Sequence, residues 1–146
     1  MGFGLPASIG VQLAAPDKTV ISVSGDGSLQ MNLQELVTIR GNNLPIKIFL
    51  FNNSSLGMVR QWQEMFFDNR ISCSEFKDNP DFVKLAKSFG LKAQRVEKFE
   101  EVRPAIRKAL NTEGPYLIDF KISCKDKVFP IVPPGSAIDQ MILGTN

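Results

Sequence analysis

Gly25-Asp26-Gly27 and Asn52-Asn53 bound the stretch that decides the fold, with 24 residues (28 to 51) between them. Each polar tip closes an apolar run. Thr19, Val20, Ile21 and Val23 lead into the first, and Ile46, Ile48, Phe49, Leu50 and Phe51 lead into the second. Short, β-branched or aromatic runs ending in turn residues predict strands. Between them, the segment 32–41 carries Leu33, Leu36, Val37 and Ile39 at helical spacing, and Gly41-Asn42-Asn43 and Pro45 end it. Strand, helix, strand from Thr19 to Asn53 is a βαβ crossover, so its two strands run parallel. Both polar tips then fall on the carboxyl edge of the sheet, where such sheets bind ligands.

The residue types at that edge suit a metal and a phosphate. Magnesium takes oxygen ligands in a near-octahedral shell, few of them from protein and the rest from phosphate and water. Asp26 offers an anionic oxygen, Asn53 a neutral one, and a carbonyl just past Asn53 a third. Gly25 and Gly27 allow close backbone approach to an anion. Ser28, leading toward the helix, adds a hydroxyl and an amide. A lone Gly-Asp-Gly is usually a tight turn, and Asn-Asn alone is as weak. Together, each closing a strand, they read as one site.

This pattern resembles the thiamine diphosphate and magnesium signature of thiamine-dependent enzymes. The flanks, Met1-Gly2-Phe3-Gly4-Leu5-Pro6-Ala7 and Leu56-Gly57-Met58-Val59-Arg60-Gln61-Trp62-Gln63, resemble the large subunit of acetolactate synthase (acetohydroxyacid synthase). The resemblance runs along nearly the whole chain but covers only the C-terminal part of that family's subunit. It implies an α/β thiamine diphosphate-binding fold, a parallel sheet flanked by helices, with a strand and a helix expected upstream of Met1. The expectation is therefore an N-terminally truncated fragment: a cofactor domain over 1–124, followed by a tail or lid over 125–146.

The resemblance also implies roles for residues. Met1 and Gly2 correspond to a stretch beside the cofactor ring, and Ser55 to a backbone-carbonyl ligand of magnesium beside Asp26 and Asn53. Leu56, Gly57 and Met58 correspond to residues lining the diphosphate and ring. Met31 is either core or near the pyrimidine. Trp62 corresponds to the bulky residue that shapes the substrate pocket, although Met58, Trp62, Met65 and Phe66 at helical spacing also read as a buried stripe. The stretch Val132-Pro133-Pro134-Gly135 is either a lid near the active site or part of a disordered tail.

Composition narrows the class. The chain has 146 residues, 43% of them apolar and 22% charged, enough for one domain with its own core. A formal net charge of +2, without a Lys/Arg cluster, argues against nucleic-acid binding. Cys73 and Cys124 are isolated and read as reduced thiols in a cytoplasmic setting. No leader pattern opens the chain, and no apolar run is long enough to span a membrane. Histidine is absent, so Ser-His-Asp and Cys-His catalysis cannot be built. The chemistry must come from carboxylates, amides or a cofactor.

The remaining elements continue the alternation. The segment 1–15 predicts a helix with Pro6 in its first turn and Leu5, Ile9 and Leu13 at four-residue steps. Pro80 to Gly90 predicts a short helix, 91–96 a strand, 99–111 a helix with Pro104 near its first turn, and 116–122 the closing strand.

What the resemblance implies about activity is a reaction, two cofactors and several partners. The family decarboxylates pyruvate on thiamine diphosphate and joins the two-carbon unit to a second 2-oxo acid, a transferase step of branched-chain amino acid biosynthesis. It uses Mg2+, assembles as a homo-oligomer, and takes its glutamate for the aminopyrimidine from another domain or a partner subunit. Glu35, Glu64 and Glu75 lie outside that motif, so this stretch alone holds no catalytic residue and is expected to be inactive. The alternatives are another thiamine diphosphate decarboxylase, oxidase or carboligase, or a non-catalytic cofactor module.

Overall fold

The computed structural model describes residues 1–144. Four strands form one parallel sheet: β1 (Ile21–Gly25), β2 (Lys47–Asn52), β3 (Lys92–Val96) and β4 (Tyr116–Lys121), in the order β1-β2-β4-β3. The expected α/β class, a parallel sheet flanked by helices, is observed. Six α-helices are described beside the sheet. They are α1 (Gly4–Ala14), α2 (Asp26–Gln30), α3 (Glu35–Gly41), α4 (Gly57–Phe66), α5 (Phe82–Ser88) and α6 (Phe99–Asn111). No helix among the described residues is long and apolar enough to cross a membrane.

Alternation along the strands splits the core in two. Ile48, Leu50 and Leu117 face Leu5 and Ile9 of α1, Leu36 and Ile39 of α3, and Phe82 and Ala86 of α5. Tyr116, Ile118 and Phe120 face Ala105 and Ala109 of α6 on the other side. Burying each large apolar side chain contributes about 1.5–3 kcal/mol. The second face is covered only in part. Ile21 and Val23 of β1 share the side of Phe49 by register, and they stay 44% and 62% exposed.

Several local expectations shift. The helix predicted over 32–41 starts later, as α3 at Glu35 after a turn over 31–34, and a separate short helix, α2, starts at Asp26 without a loop. Asn32 is occupied elsewhere, its Nδ2 donating to the Gly2 carbonyl at 2.6 Å. In α1, Leu13 is exposed and Gln12 is buried instead, because Gln12 Nε2 donates to the carbonyls of Ala15 and Lys18 that end the helix. Asp81, not Pro80, caps α5, accepting from the Val83 and Lys84 N–H groups. Pro104 lies in the interior of α6.

The α4 stripe is not core. Met58, Trp62 and Phe66 are 47%, 37% and 37% exposed, and the buried residue of α4 is Gln61. Gln61 pairs with the main chain of Val128 at both its N–H (2.8 Å) and its carbonyl (2.9 Å). Lys127 bridges to Glu64 at 2.8 Å, and Arg60 donates to the Cys124 carbonyl at 2.6 Å. The segment after β4 is thus tied to α4 and folds on itself through the Ile131–Ile142 bridge. Thr145 and Asn146, the end of the expected tail, lie outside the described residues.

Candidate functional site

β1 ends at Gly25, opposite Phe51 and one residue short of the end of β2, so Asp26 leaves the sheet beside Asn52, with Asn53 next along the other strand. Gly25 is extended (φ −81°, ψ 160°) and acts as the N-cap of α2. The chain therefore turns straight into a helix, which draws the Asp26 side chain inward to 1% exposure. Its Oδ2 accepts from Asn79 Nδ2 at 2.6 Å. Its Oδ1 is buried without a hydrogen-bond partner. A buried carboxylate oxygen left this way is costly and points to a ligand or ion.

An open pocket of about 290 Å3 lies over this edge. Met1, Gly25, Asp26, Gly27 and Ser28 line one side, and Asn53, Ser55, Leu56, Gly57 and Met58 line the other. Ten of the residues singled out from the sequence are thus brought together. Met31 and Trp62 are not among the lining residues. Met31 is 54% exposed and so is not core; Trp62 stands edge-on to Phe66, with ring centroids 6.1 Å apart. Phe51, Val59 and Ile122 complete the lining, and in the sequence they carry no signal beyond hydrophobicity.

Local bonds hold the two walls. Ser28 Oγ accepts from the Gly2 N–H at 2.9 Å, which seats Met1 at the pocket and leaves the hydroxyl hydrogen free to donate. Asn53 Oδ1 accepts from the Ser55 N–H at 3.0 Å, an Asx turn that keeps a second lone pair on Asn53 Oδ1. Ser54, between them, adopts a left-handed conformation (φ +54°), strain of the kind that gathers at functional sites. Ser55 Oγ donates to the Ser74 carbonyl, so any ligand oxygen from Ser55 is its main-chain carbonyl. At Gly27 a Cβ would meet Leu56 Cδ2 at 2.7 Å. A larger residue there would have to push the Leu56 side chain off the opposite wall.

The sequence reading missed the support behind Asp26. Asn79, from the loop before α5, contacts Asp26, and its Nδ2 also reaches Asn52 Oδ1 at 3.3 Å. Asn52 Nδ2 donates to Asp119 Oδ1 at 2.9 Å, and Arg95 Nε donates to Asp119 Oδ2 at 2.9 Å. The Asp119 bond raises the Arg95 pKa further. The Lys84 main-chain N–H, aided by Arg95 and the Val83 N–H against burial, holds Asp81 below the usual carboxylate range. The Asn79-Pro80-Asp81 run signals a helix start; no local pattern announces its contact with Asp26.

The donor set fits a divalent cation of the magnesium kind. Among the described residues no group of three or more His, Cys, Asp or Glu gathers, so the protein offers one anionic oxygen and neutral ones. Phosphate and water would complete the shell, as hard, slowly dehydrating Mg2+ prefers.

Comparison with known proteins follows this geometry. The thiamine pyrophosphate enzyme family, C-terminal TPP binding domain, matches residues 1–120. The chain is 48% identical over 142 residues to the acetolactate synthase isozyme 2 large subunit of Escherichia coli K12, covering 97% of this chain and 26% of that protein. It is 48% identical over 150 residues to maize (Zea mays) acetolactate synthase 1, chloroplastic, covering 98% and 24%. The mitochondrial acetolactate synthase of Schizosaccharomyces pombe is 47% identical, covering 98% and 21%. The chain thus spans about a quarter of the length of these relatives. Among solved structures, a thiamine diphosphate-dependent 4-hydroxybenzoylformate decarboxylase from Rhodococcus jostii RHA1 superposes with a TM-score of 0.78 at 32% identity, over 84% of this chain and 23% of that one. The neighbouring strand ends, the buried Asp26 and the match along residues 1–120 converge: the chain belongs to the thiamine pyrophosphate enzyme family and carries its C-terminal TPP binding domain.

Proposed function

We propose that this domain binds thiamine diphosphate through Mg2+ as part of an acetolactate synthase-like enzyme, a transferase of branched-chain amino acid biosynthesis. The observation that carries the reading is the unpartnered, buried Asp26 Oδ1 on a residue lining the pocket. Asp26, Asn53 and the Ser55 carbonyl would hold the metal. Gly25, Gly27, Ser28, Leu56 and Gly57 would flank the diphosphate, Met1 and Met58 would support the rings, Met31 would lie near the pyrimidine, and Trp62 would border the substrate. When bound, thiamine diphosphate supplies the electron sink that decarboxylation of a 2-oxo acid such as pyruvate requires. The protein residues here bind and orient. The pocket lining holds one carboxylate, Asp26, and the metal would occupy it.

Among the described residues lining the pocket, no other acidic group is left to exchange a proton with the aminopyrimidine. We propose that a glutamate from another domain or a partner subunit of a homo-oligomer does so, and that these residues alone are inactive. Residues 125–144, tied to α4, would serve as a lid over the second 2-oxo acid. Unpaired Cys73 and Cys124 support a reducing, cytoplasmic setting.

Calorimetric titration of the chain with thiamine diphosphate, with and without Mg2+, tests the reading. Binding that requires Mg2+ is expected. A folded chain that binds nothing would overturn the preformed site, and a non-catalytic module would take its place. Pyruvate consumption above a no-protein blank would overturn the inactivity. A second reading, another thiamine diphosphate-dependent decarboxylase, is favoured by the likeness to the Rhodococcus enzyme. Products of the full-length protein separate the two: an acetohydroxy acid supports the first, a free aldehyde the second.

A further inference from the structure

We infer that Asn79 is a positioning residue for Asp26, occupying Oδ2 so that Oδ1 remains the one open acceptor for the metal. The inference rests on the metal-site reading above and goes beyond it. Its basis is a chain of bonds with fixed polarity. Asp26 and Asp119 stand at the two ends, and ionised carboxylates only accept. Asn52 must turn Nδ2 to Asp119 (2.9 Å) and so presents Oδ1 to Asn79. Asn79 must turn Nδ2 to Asp26 (2.6 Å), which leaves its Oδ1 to accept from Gln30 Nε2 at 3.1 Å. Reversing either amide would set an oxygen against a carboxylate.

The far end is anchored as well. Arg95 bridges Asp119 (2.9 Å) and Asp81 (3.0 Å), so Asn79 and Asp81, two residues apart, are held from opposite sides. Arg95 also offsets the Asp119 charge. The Asp26 carboxylate thus meets a neutral amide, that of Asn79, on its inner side. Partners that orient a metal-binding carboxylate in this way typically govern affinity by roughly 10- to 100-fold.

The test titrates Mg2+ into the full chain with thiamine diphosphate present, for wild type, Asn79→Ala, Asn79→Gln and Asp26→Ala. In Asn79→Ala the Mg2+ concentration for half-maximal cofactor binding should rise by roughly 10- to 100-fold. Saturating Mg2+ should restore binding, which a collapsed fold could not do. Asn79→Gln, which keeps an amide donor, should recover most of the loss. Asn79→Ala binding like wild type while Asp26→Ala fails would overturn the positioning role and leave the site intact. Asp26→Ala binding like wild type, or a folded wild type that binds nothing, would overturn the site reading and this inference with it.

Discussion

At the scale of single residues, the site turns on one oxygen atom. Asp26 Oδ1 is buried and unpaired, so its carboxylate is a burden on the unliganded fold. Asp26→Ala should therefore remove Mg2+-dependent binding of thiamine diphosphate while the melting temperature of the free chain holds or rises. Calorimetry and a thermal melt on the same sample check both halves. Asp26 and Asn53 were legible because each follows a strand, and strand ends in a βαβ unit come together by necessity. Asn79 was not, since it approaches Asp26 across 53 positions of sequence and no periodicity carries such a contact. Ser28 was legible as a residue of this edge, but its bond to Gly2 was not, because that contact depends on where α1 starts.

Among elements, α4 joins the pocket to the segment after β4. Its first residues, Gly57, Met58 and Val59, line the pocket, and Gln61, about one helical turn after Gly57, clasps Val128. Gln61→Ala should speed tryptic cleavage after Lys125 and Lys127 several-fold without loss of the core, as read by limited proteolysis and mass spectrometry. The same junction should respond to acid. A hydrogen bond from Lys127, opposed by burial and reinforced by Arg60, keeps the Glu64 carboxyl below its ordinary value of 4.5. A carboxyl depressed in the folded state contributes stability that is present above 4.5 and lost as pH falls through the folded value. Hydrogen-exchange protection at the Val128 N–H should accordingly drop at acid pH. The segment 54–69 reads as a loop from sequence, with Met58, Trp62, Met65 and Phe66 at helical spacing; the structure makes 57–66 a helix whose stripe is not buried. Amphipathic periodicity says which side is apolar, not whether anything covers it, and here a glutamine with two main-chain partners is buried while Met58 and Trp62 are not. The 32–41 helix was misread for a related reason: sequence spacing cannot see that Asn32 bonds to Gly2 and breaks the run.

For the molecule as a whole, the parallel sheet was the most legible feature, because two strands joined by a helix admit little else. Its coverage was not. One face is sealed by α1, α3 and α5; the other carries α6 alone and leaves Ile21, Val23 and Phe51 at 44%, 62% and 41% exposure. Contiguous apolar surface of this kind drives association. Val23→Lys should therefore reduce self-association of the isolated chain, seen by sedimentation velocity, while its melting temperature stays within a few degrees of wild type. The register that sets Asp26 beside Asn52 has a different consequence, for length. A residue added within β1 or β2 would reverse which side chains point inward and part Asp26 from Asn52. One added at exposed Asn43 or Glu113, on the opposite edge, would leave them together. Insertions and deletions among related chains should thus collect at the edge away from the pocket, with the strands leading into it constant in length.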